Sequence, residues 1–177
     1  MEGSTLTLPR FYFDVYAPTY LVGARPRTFE AYKDAVTLWS RLVDEVRLCS
    51  IDVITLAKFK SGLMAGRSPA TVNKHLGAVN AILTKAGPPG PRNRDALGIL
   101  DRVPWVKPLK EIQRAPTPIA FGQIDLLYHA AGQMKLPGVH GVAAPAWWRA
   151  LLVMAYTCAL RRGTLLAIRW SDVDLDH

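Results

Sequence analysis

The residues best placed to do chemistry in this 177-residue chain are basic and hydroxyl-bearing, and they gather where helices are expected to begin. Ser68-Pro69-Ala70-Thr71 opens one such stretch, and Asn73, Lys74 and His75 follow on a face expected to be exposed. The unpaired amides and positive dipole of a helix start attract phosphate, and amide, ammonium and imidazole groups beside them reach base edges. Arg25 and Arg27, just ahead of Thr28, with Lys33 a turn later, predict the same layout for a second helix. Between Arg67 and Lys110 there are eight basic residues, including Arg92 and Arg94, against only Asp95 and Asp101. The whole chain carries 22 Lys and Arg against 14 Asp and Glu, and its pI near 9.8 makes a polyanion the first partner to consider. From Glu111 onward the balance is six basic to five acidic, so the expected field is one-sided.

Other chemistries have little support. Cys49 and Cys158 stand far apart, with no CxxC pair and no histidine at metal spacing, and read as packing residues. His75 has no partner at ligand spacing, which favours a surface or DNA-contact role; His129, His140 and His177 suggest none. No metal site is therefore expected from these residues. No basic start followed by an apolar run opens the chain, and the apolar stretch around Ala150 to Ala155 falls short of the roughly 20 residues a spanning helix needs. A soluble, cytoplasmic protein without membrane attachment is expected.

The elements that must hold these groups are helical. Phe29, Tyr32, Val36, Trp39, Val43 and Val46 recur at steps of three and four, predicting a helix from Thr28 to Val46 with Thr28 as its cap and Pro26 discouraging helix before it. Leu56, Phe59 and Leu63 predict another from Thr55 to Met64. Ser68 as cap, Pro69 in the first turn, and the stripe Val72, Leu76, Val79 and Leu83 predict a third, closed by Gly87. Leu8 to Leu21 is a further candidate that Pro18 must end or bend. Seven prolines between residues 88 and 118 mark a basic connector. Beyond it, helices are expected at Phe121 to Ala131 and Ala146 to Tyr156, the latter apolar on every side and so central to a core. The alternation from Trp170 to Asp176 suggests the start of a strand. The fold class is mainly α.

The segment Leu160-Arg161-Arg162-Gly163-Thr164-Leu165-Leu166-Ala167-Ile168-Arg169-Trp170-Ser171-Asp172-Val173-Asp174 closely resembles the first conserved box of tyrosine recombinases of the phage-integrase type, L-R-x-G-E-x-x-x-L-R-W-x-D-I-D. In that family the box follows an apolar helix, and its first arginine, matched by Arg161, binds the scissile phosphate. A guanidinium suits this task because its planar fork donates two hydrogen bonds and stays charged in the transition state. Thr28 with Tyr32, and the run from Ser68 to Leu76, are similar to the two DNA-facing helices of the family's SAM-like core-binding domain. Pro118-Ile119-Ala120-Phe121 matches the start of its catalytic domain.

The sequence departs from the pattern at Ala120 for a capping Thr, Ala159 for the Gly before Leu160, and Thr164 for the usual Glu. The family's later elements, a hairpin lysine, a His-x-x-Arg box, a further His or Trp and the tyrosine nucleophile, have no match in these residues. Tyr12, Tyr16, Tyr20, Tyr32, Tyr128 and Tyr156 all precede or abut the box, and an activated nucleophile needs acid and base partners within reach.

The resemblance thus implies a core-binding domain over residues 1–87, a linker over 88–118 and the first part of a catalytic domain over 119–177. It implies double-stranded DNA and, in an intact relative, other recombinase protomers as partners, with no cofactor and no small-molecule substrate. The expectation is DNA binding without strand cleavage, as in a shortened or degraded recombinase or a piece completed by another chain. The alternatives are a noncatalytic regulator placing one helix in a major groove, and a helical protein-interaction module whose charge serves solubility.

Overall fold

A computed structural model describes residues 6–112, 115, 117–138 and 141–174. The structure is mainly helical, and among the described residues no strand forms; Thr7 with Arg47 and Gly90 with Asn93 make isolated bridges only. The chain divides into two units, Met1–Gln113 and Arg114–His177, a division that falls inside the expected linker. No helix among the described residues is long and apolar enough to cross a membrane.

The first unit is a helical bundle. Its first helix, α1 (residues 8–20), is α-helical over Leu8–Phe11, π-helical over Tyr12–Tyr16 and α-helical again over Ala17–Tyr20. Pro18 neither ends nor breaks it. A proline ring clashes with the carbonyl one α-turn earlier, and the wider turn just before it, closed by the Ala17 amide bonding to the Tyr12 carbonyl, makes room for the ring.

The second helix, α2 (Pro26–Leu42), corrects the expectation at both ends. Pro26 occupies the first turn, where its missing N–H costs nothing and its fixed φ suits the helix; Arg25 before it is extended, as expected, but the helix starts at Pro26 itself, two residues ahead of Thr28. The cap residue is Arg25, whose carbonyl accepts from the Thr28 amide at 2.8 Å; Thr28 lies inside the helix and caps nothing. Val43 turns to extended backbone, ending the helix before Val46. Glu30, Lys33, Asp34 and Arg41 are exposed along this helix, as is Asp44 just beyond its end.

Helix α3 (Val53–Met64) begins two residues before Thr55 because Asp52 caps it, accepting from the Thr55 amide at 2.8 Å. Gly66, at φ +85, then adopts the left-handed backbone that turns the chain into α4 (Pro69–Ala86). This helix matches its expectation closely: Ser68 caps it, and Val72, Leu76, Val79 and Leu83 are buried. They join Leu8, Phe11, Trp39, Phe59 and Leu63 in one core, where each large apolar side chain contributes on the order of 1.5–3 kcal/mol by leaving water.

Residues 88–112 are no free connector. The amides of Leu97, Gly98, Ile99 and Leu100 bond to the carbonyls of Lys85, Gly87 and Ala86, and Leu100, Pro104 and Val106 are buried. The chain crosses Gly87 so closely that a Cβ there would collide with the Val103 side chain. Buried Leu100 and Val106 therefore extend the bundle's core past residue 87, where the proline pattern alone placed its end.

The second unit contains α5 (Phe121–Ala131), as expected, α6 (Ala144–Cys158) and the short α7 (Arg162–Leu165). Arg149 holds α6 to α5: its guanidinium lies 4.9 Å from the Tyr128 ring centroid and its Nε donates to the Tyr128 carbonyl at 3.4 Å. The Trp148 indole donates to the Leu136 carbonyl at 2.7 Å. Here the expected buried core is absent. Only Ala131 and Ala144 are buried among the described residues of this unit, while Phe121 is 78% and Leu126 70% exposed. Helix α6, expected at the centre of a core, leaves Val153 and Tyr156 about half exposed, because α5 and α7 cover only part of its apolar circumference. The expected strand is also absent: Trp170–Asp172 forms a 3-10 turn, braced by the Arg169 amide donating to Asp172 Oδ2 at 2.9 Å, and residues 175–177 lie outside the described residues. Cys49 and Cys158 are both exposed, so neither is a packing residue.

Candidate nucleic-acid interface

The basic groups are displayed mainly around α4. At its start, Ser68 Oγ accepts from the Thr71 amide at 3.3 Å and sits 2.9 Å from Thr71 Oγ1, which fixes both hydroxyls at the helix entrance. Lys74 is exposed, while Arg67 is partly covered. Neither forms an ion pair among the described residues, where Lys58–Asp44 and Lys85–Asp95 are the pairs between Lys or Arg and a carboxylate.

Two residues expected on this exposed face are not available there. His75 is 8% exposed, and its Nδ1 finds no hydrogen-bond partner. It lies on the flank of the buried stripe, beside Leu76, rather than on the solvent face. Burial pushes its imidazole below the ordinary range, the positive charges of Lys74 and Arg67 add to this, and Asp34 on α2 opposes them. The Asn73 side chain is already occupied. Its Nδ2 donates to the Leu109 carbonyl at 2.9 Å and to Glu111 Oε1 at 2.7 Å, and its Oδ1 accepts from the Leu109 amide at 2.8 Å.

At the far end of α4, Arg92 and Arg94 project from a braced turn. Gly90 and Asn93 exchange backbone hydrogen bonds at 3.3 and 3.0 Å, and the Asn93 side chain donates to the Thr84 carbonyl at 2.6 Å. Asp95 is held by Lys85, whose ammonium lies 5.1 Å from the Tyr20 ring centroid, and the Tyr20 hydroxyl donates to the Asp95 carbonyl. This network ties the turn to the end of α1, five residues before Arg25. Both arginines are exposed, as are Arg25, Arg27, Thr28 and Lys33. From Lys74 to the end of α4 at Ala86 the helix rises about 18 Å, roughly half a turn of duplex.

The amino ends of α2 and α4, expected to share one layout, differ: α4 has a side-chain cap and α2 has none. No hydrogen bond, ring contact or ion pair among the described residues joins 25–28 to 68–71. The braced turn carrying Arg92 and Arg94 was invisible in the sequence as a positioned element, although Gly90, Asn93 and the adjacent prolines were its signal.

In the second unit, Arg161 precedes α7, its carbonyl accepting from the Leu165 amide at 2.9 Å. Its side chain is exposed, and no acid among the described residues pairs with it. Ala159, just ahead, adopts φ +49 and ψ +29, the left-handed helix end at which a glycine is least strained. Thr164 lines an open groove of about 540 Å³ with Met154, Leu160, Ile168 and Val173. Tyr16 is buried, and burial together with the Tyr32 hydroxyl pushes its phenol above the ordinary range, away from the phenolate a nucleophile requires. No group of three His, Cys, Asp or Glu that could hold a metal ion occurs among the described residues.

No protein-family model matches the chain, and comparison with curated proteins and with solved structures gives no match.

Proposed function

We propose that the chain binds double-stranded DNA as the DNA-clamping part of a site-specific tyrosine recombinase, without cutting the strands itself. The observation that carries this reading is the set of exposed cations on the first unit, Arg25, Arg27, Lys33, Lys74, Arg92 and Arg94, none of which is neutralised by a described carboxylate. Sixteen basic residues against ten acidic ones in residues 1–113 give that unit a field suited to a phosphate backbone. The assignment to recombinases rests on the resemblance of Leu160 to Asp174 to the family's first box, with Arg161 as its phosphate-binding arginine. The helical first unit and the left-handed Ala159 before Leu160 are compatible with the SAM-like domain and the box that this resemblance implies. The exposed apolar side chains of the second unit support a need for protein partners, which in the family are other protomers on paired sites.

Charge reversal tests the reading. The triple variant Lys74→Glu, Arg92→Glu, Arg94→Glu is expected to weaken binding of a duplex by at least about tenfold at low salt, because with each lost phosphate contact fewer counterions are released on binding. Arg161→Ala is expected to change affinity by no more than about twofold, one contact among many. Unchanged affinity in the triple variant contradicts the proposal. The side-chain cap of α4 and its exposed Lys74 favour a second reading, a regulator that lays one helix in a major groove. A footprint on one face of the duplex selects the regulator, and one that encloses both faces selects the clamp.

A further inference from the structure

We propose that the indole of Trp105 is a stacking platform for an unpaired base of a nucleic-acid strand, whose neighbouring phosphates are held by Arg102 and Lys107. Other rings of the first unit pack on one another: Tyr16 lies against Tyr12, Tyr20 and Tyr32 with centroids between 5.3 and 6.0 Å apart, and Trp39 meets Phe59. Trp105 does not. It is 62% exposed, and among the described residues its ring meets no other ring and no cation. The backbone on both sides holds it outward. Pro104 and Val106, its two neighbours, are buried, so turning the indole inward draws both into water. The ring of Pro104 also fixes its own φ. Just beyond, Lys60 Nζ donates to the Lys107 carbonyl at 2.7 Å, and Asn73 pairs with both the N–H and the C=O of Leu109, whose side chain packs against the core. The aromatic face is thus presented in advance, and a ligand that uses it has little left to order.

A bare π face accepts an apolar group, a cation or a base, and the charges around Trp105 decide among them. Arg102 and Lys107 are exposed, neither pairs with a carboxylate among the described residues, and exposed Lys110 follows. Of the two acids in this stretch, Asp101 lies at its start and Glu111 is engaged by the Asn73 amide. Such a place repels a cation and attracts a polyanion. Three and two residues of chain keep the Cα atoms of Arg102 and Lys107 within about 11 and about 7 Å of that of Trp105, so their long side chains reach phosphates on either side of one stacked base. Every base has a π face, and recognition of this kind tolerates any sequence. In a paired duplex those faces are covered by adjacent base pairs. The ligand therefore differs from the duplex proposed above, and the inference rests on the exposed ring and its cations rather than on the recombinase reading.

The probes are short oligo-dT and oligo-rU strands carrying a terminal dye, titrated with the full chain at low salt and followed by dye anisotropy and by indole emission. The wild type is expected to bind, with its indole emission partly quenched by the stacked base, and the more tightly bound of the two strands names the sugar. Trp105→Ala and Trp105→Leu are each expected to bind that strand about five- to 100-fold more weakly and to lose the quenching, whereas Trp105→Phe, which keeps a π face, stays within about threefold of the wild type. Because the indole is exposed, far-ultraviolet circular dichroism and the urea midpoint are expected to be the same in all four proteins, and the wild-type quenching is read without any substitution. Binding of neither strand overturns the proposal, as does wild-type affinity in Trp105→Ala or in Trp105→Leu, the latter showing an apolar contact such as a protein partner makes. Duplex affinity is expected to change by no more than about twofold in Trp105→Ala. A chain that holds single strands through Trp105 but no duplex refutes only the duplex reading, and one that holds duplex but no single strand refutes only this one.

Discussion

The indole of Trp39 and the ring of Phe59 meet with centroids 5.1 Å apart and planes inclined at 51°, joining α2 to α3 in the centre of the first unit. Phe59 is fully buried and Trp39 nearly so. Phe59→Ala leaves a cavity that neighbouring side chains only partly fill, at a cost of about 3–5 kcal/mol. Urea unfolding followed by circular dichroism checks this. A loss below about 1 kcal/mol places the ring outside the cooperative core.

Capping separates two residues that the sequence treats alike. Ser68→Ala removes an acceptor from the Thr71 amide and is expected to cost about 1 kcal/mol. Thr28→Ala removes no cap, because Arg25 holds that position, and is expected to change stability by less than about 0.5 kcal/mol. Equal losses in the two variants, measured by the same urea titration, contradict the assigned helix start.

His75 makes the first unit sensitive to acid. Its imidazole is held below the ordinary value near 6.5 by burial first and then by Lys74 and Arg67, so the folded chain binds this proton less readily than the unfolded one. Stability is thus fully present above pH 6.5 and declines as pH falls from there toward the depressed folded value. The urea midpoint of the wild type should drop across this window, and that of His75→Gln should drop less. The Asp52 carboxylate, lowered by its bonds from Thr55, acts only at more acidic pH. Parallel profiles for wild type and His75→Gln rule out the assignment.

Ala159 carries backbone strain in the second unit. A left-handed conformation costs a residue with a Cβ on the order of 1 kcal/mol, and glycine avoids that cost. Ala159→Gly is expected to raise the protection of α6 amides against hydrogen exchange, and Ala159→Val to lower it. A lower protection in the glycine variant shows that the helix does not end in this geometry.

The helices of the first unit were largely legible because apolar spacing and polar caps act locally: Ser68, Pro69 and the stripe from Val72 to Leu83 specify α4 almost alone. Features that depend on contacts distant in sequence were not. Nothing near Asn73 announces that Leu109, 36 residues later, will occupy its amide; the burial of His75, by contrast, was legible, since it stands three residues after Val72 and four before Val79 on the apolar stripe, and only its polar type suggested the solvent face. Pro18, expected to end or bend its helix, is accommodated by a π-turn, and Pro26, which keeps helix from forming before it, itself takes the first helical position. In the second unit, the apolar pattern of α6 correctly predicted a helix, but a pattern cannot say whether a partner surface is present to cover it. Arg161 lies at an exposed helix entrance, and its phosphate-binding role remains a proposal carried by the Leu160 to Asp174 resemblance.

The central claim, that exposed cations of the first unit grip a duplex backbone, is tested most directly by the salt dependence of duplex binding by the full chain. If about four of the six cations engage phosphates, affinity falls by about 100-fold as monovalent salt rises from about 50 to about 200 mM, and log K is linear in log salt. Affinity that stays level over that range, or no binding to duplex at the lowest salt, contradicts the account.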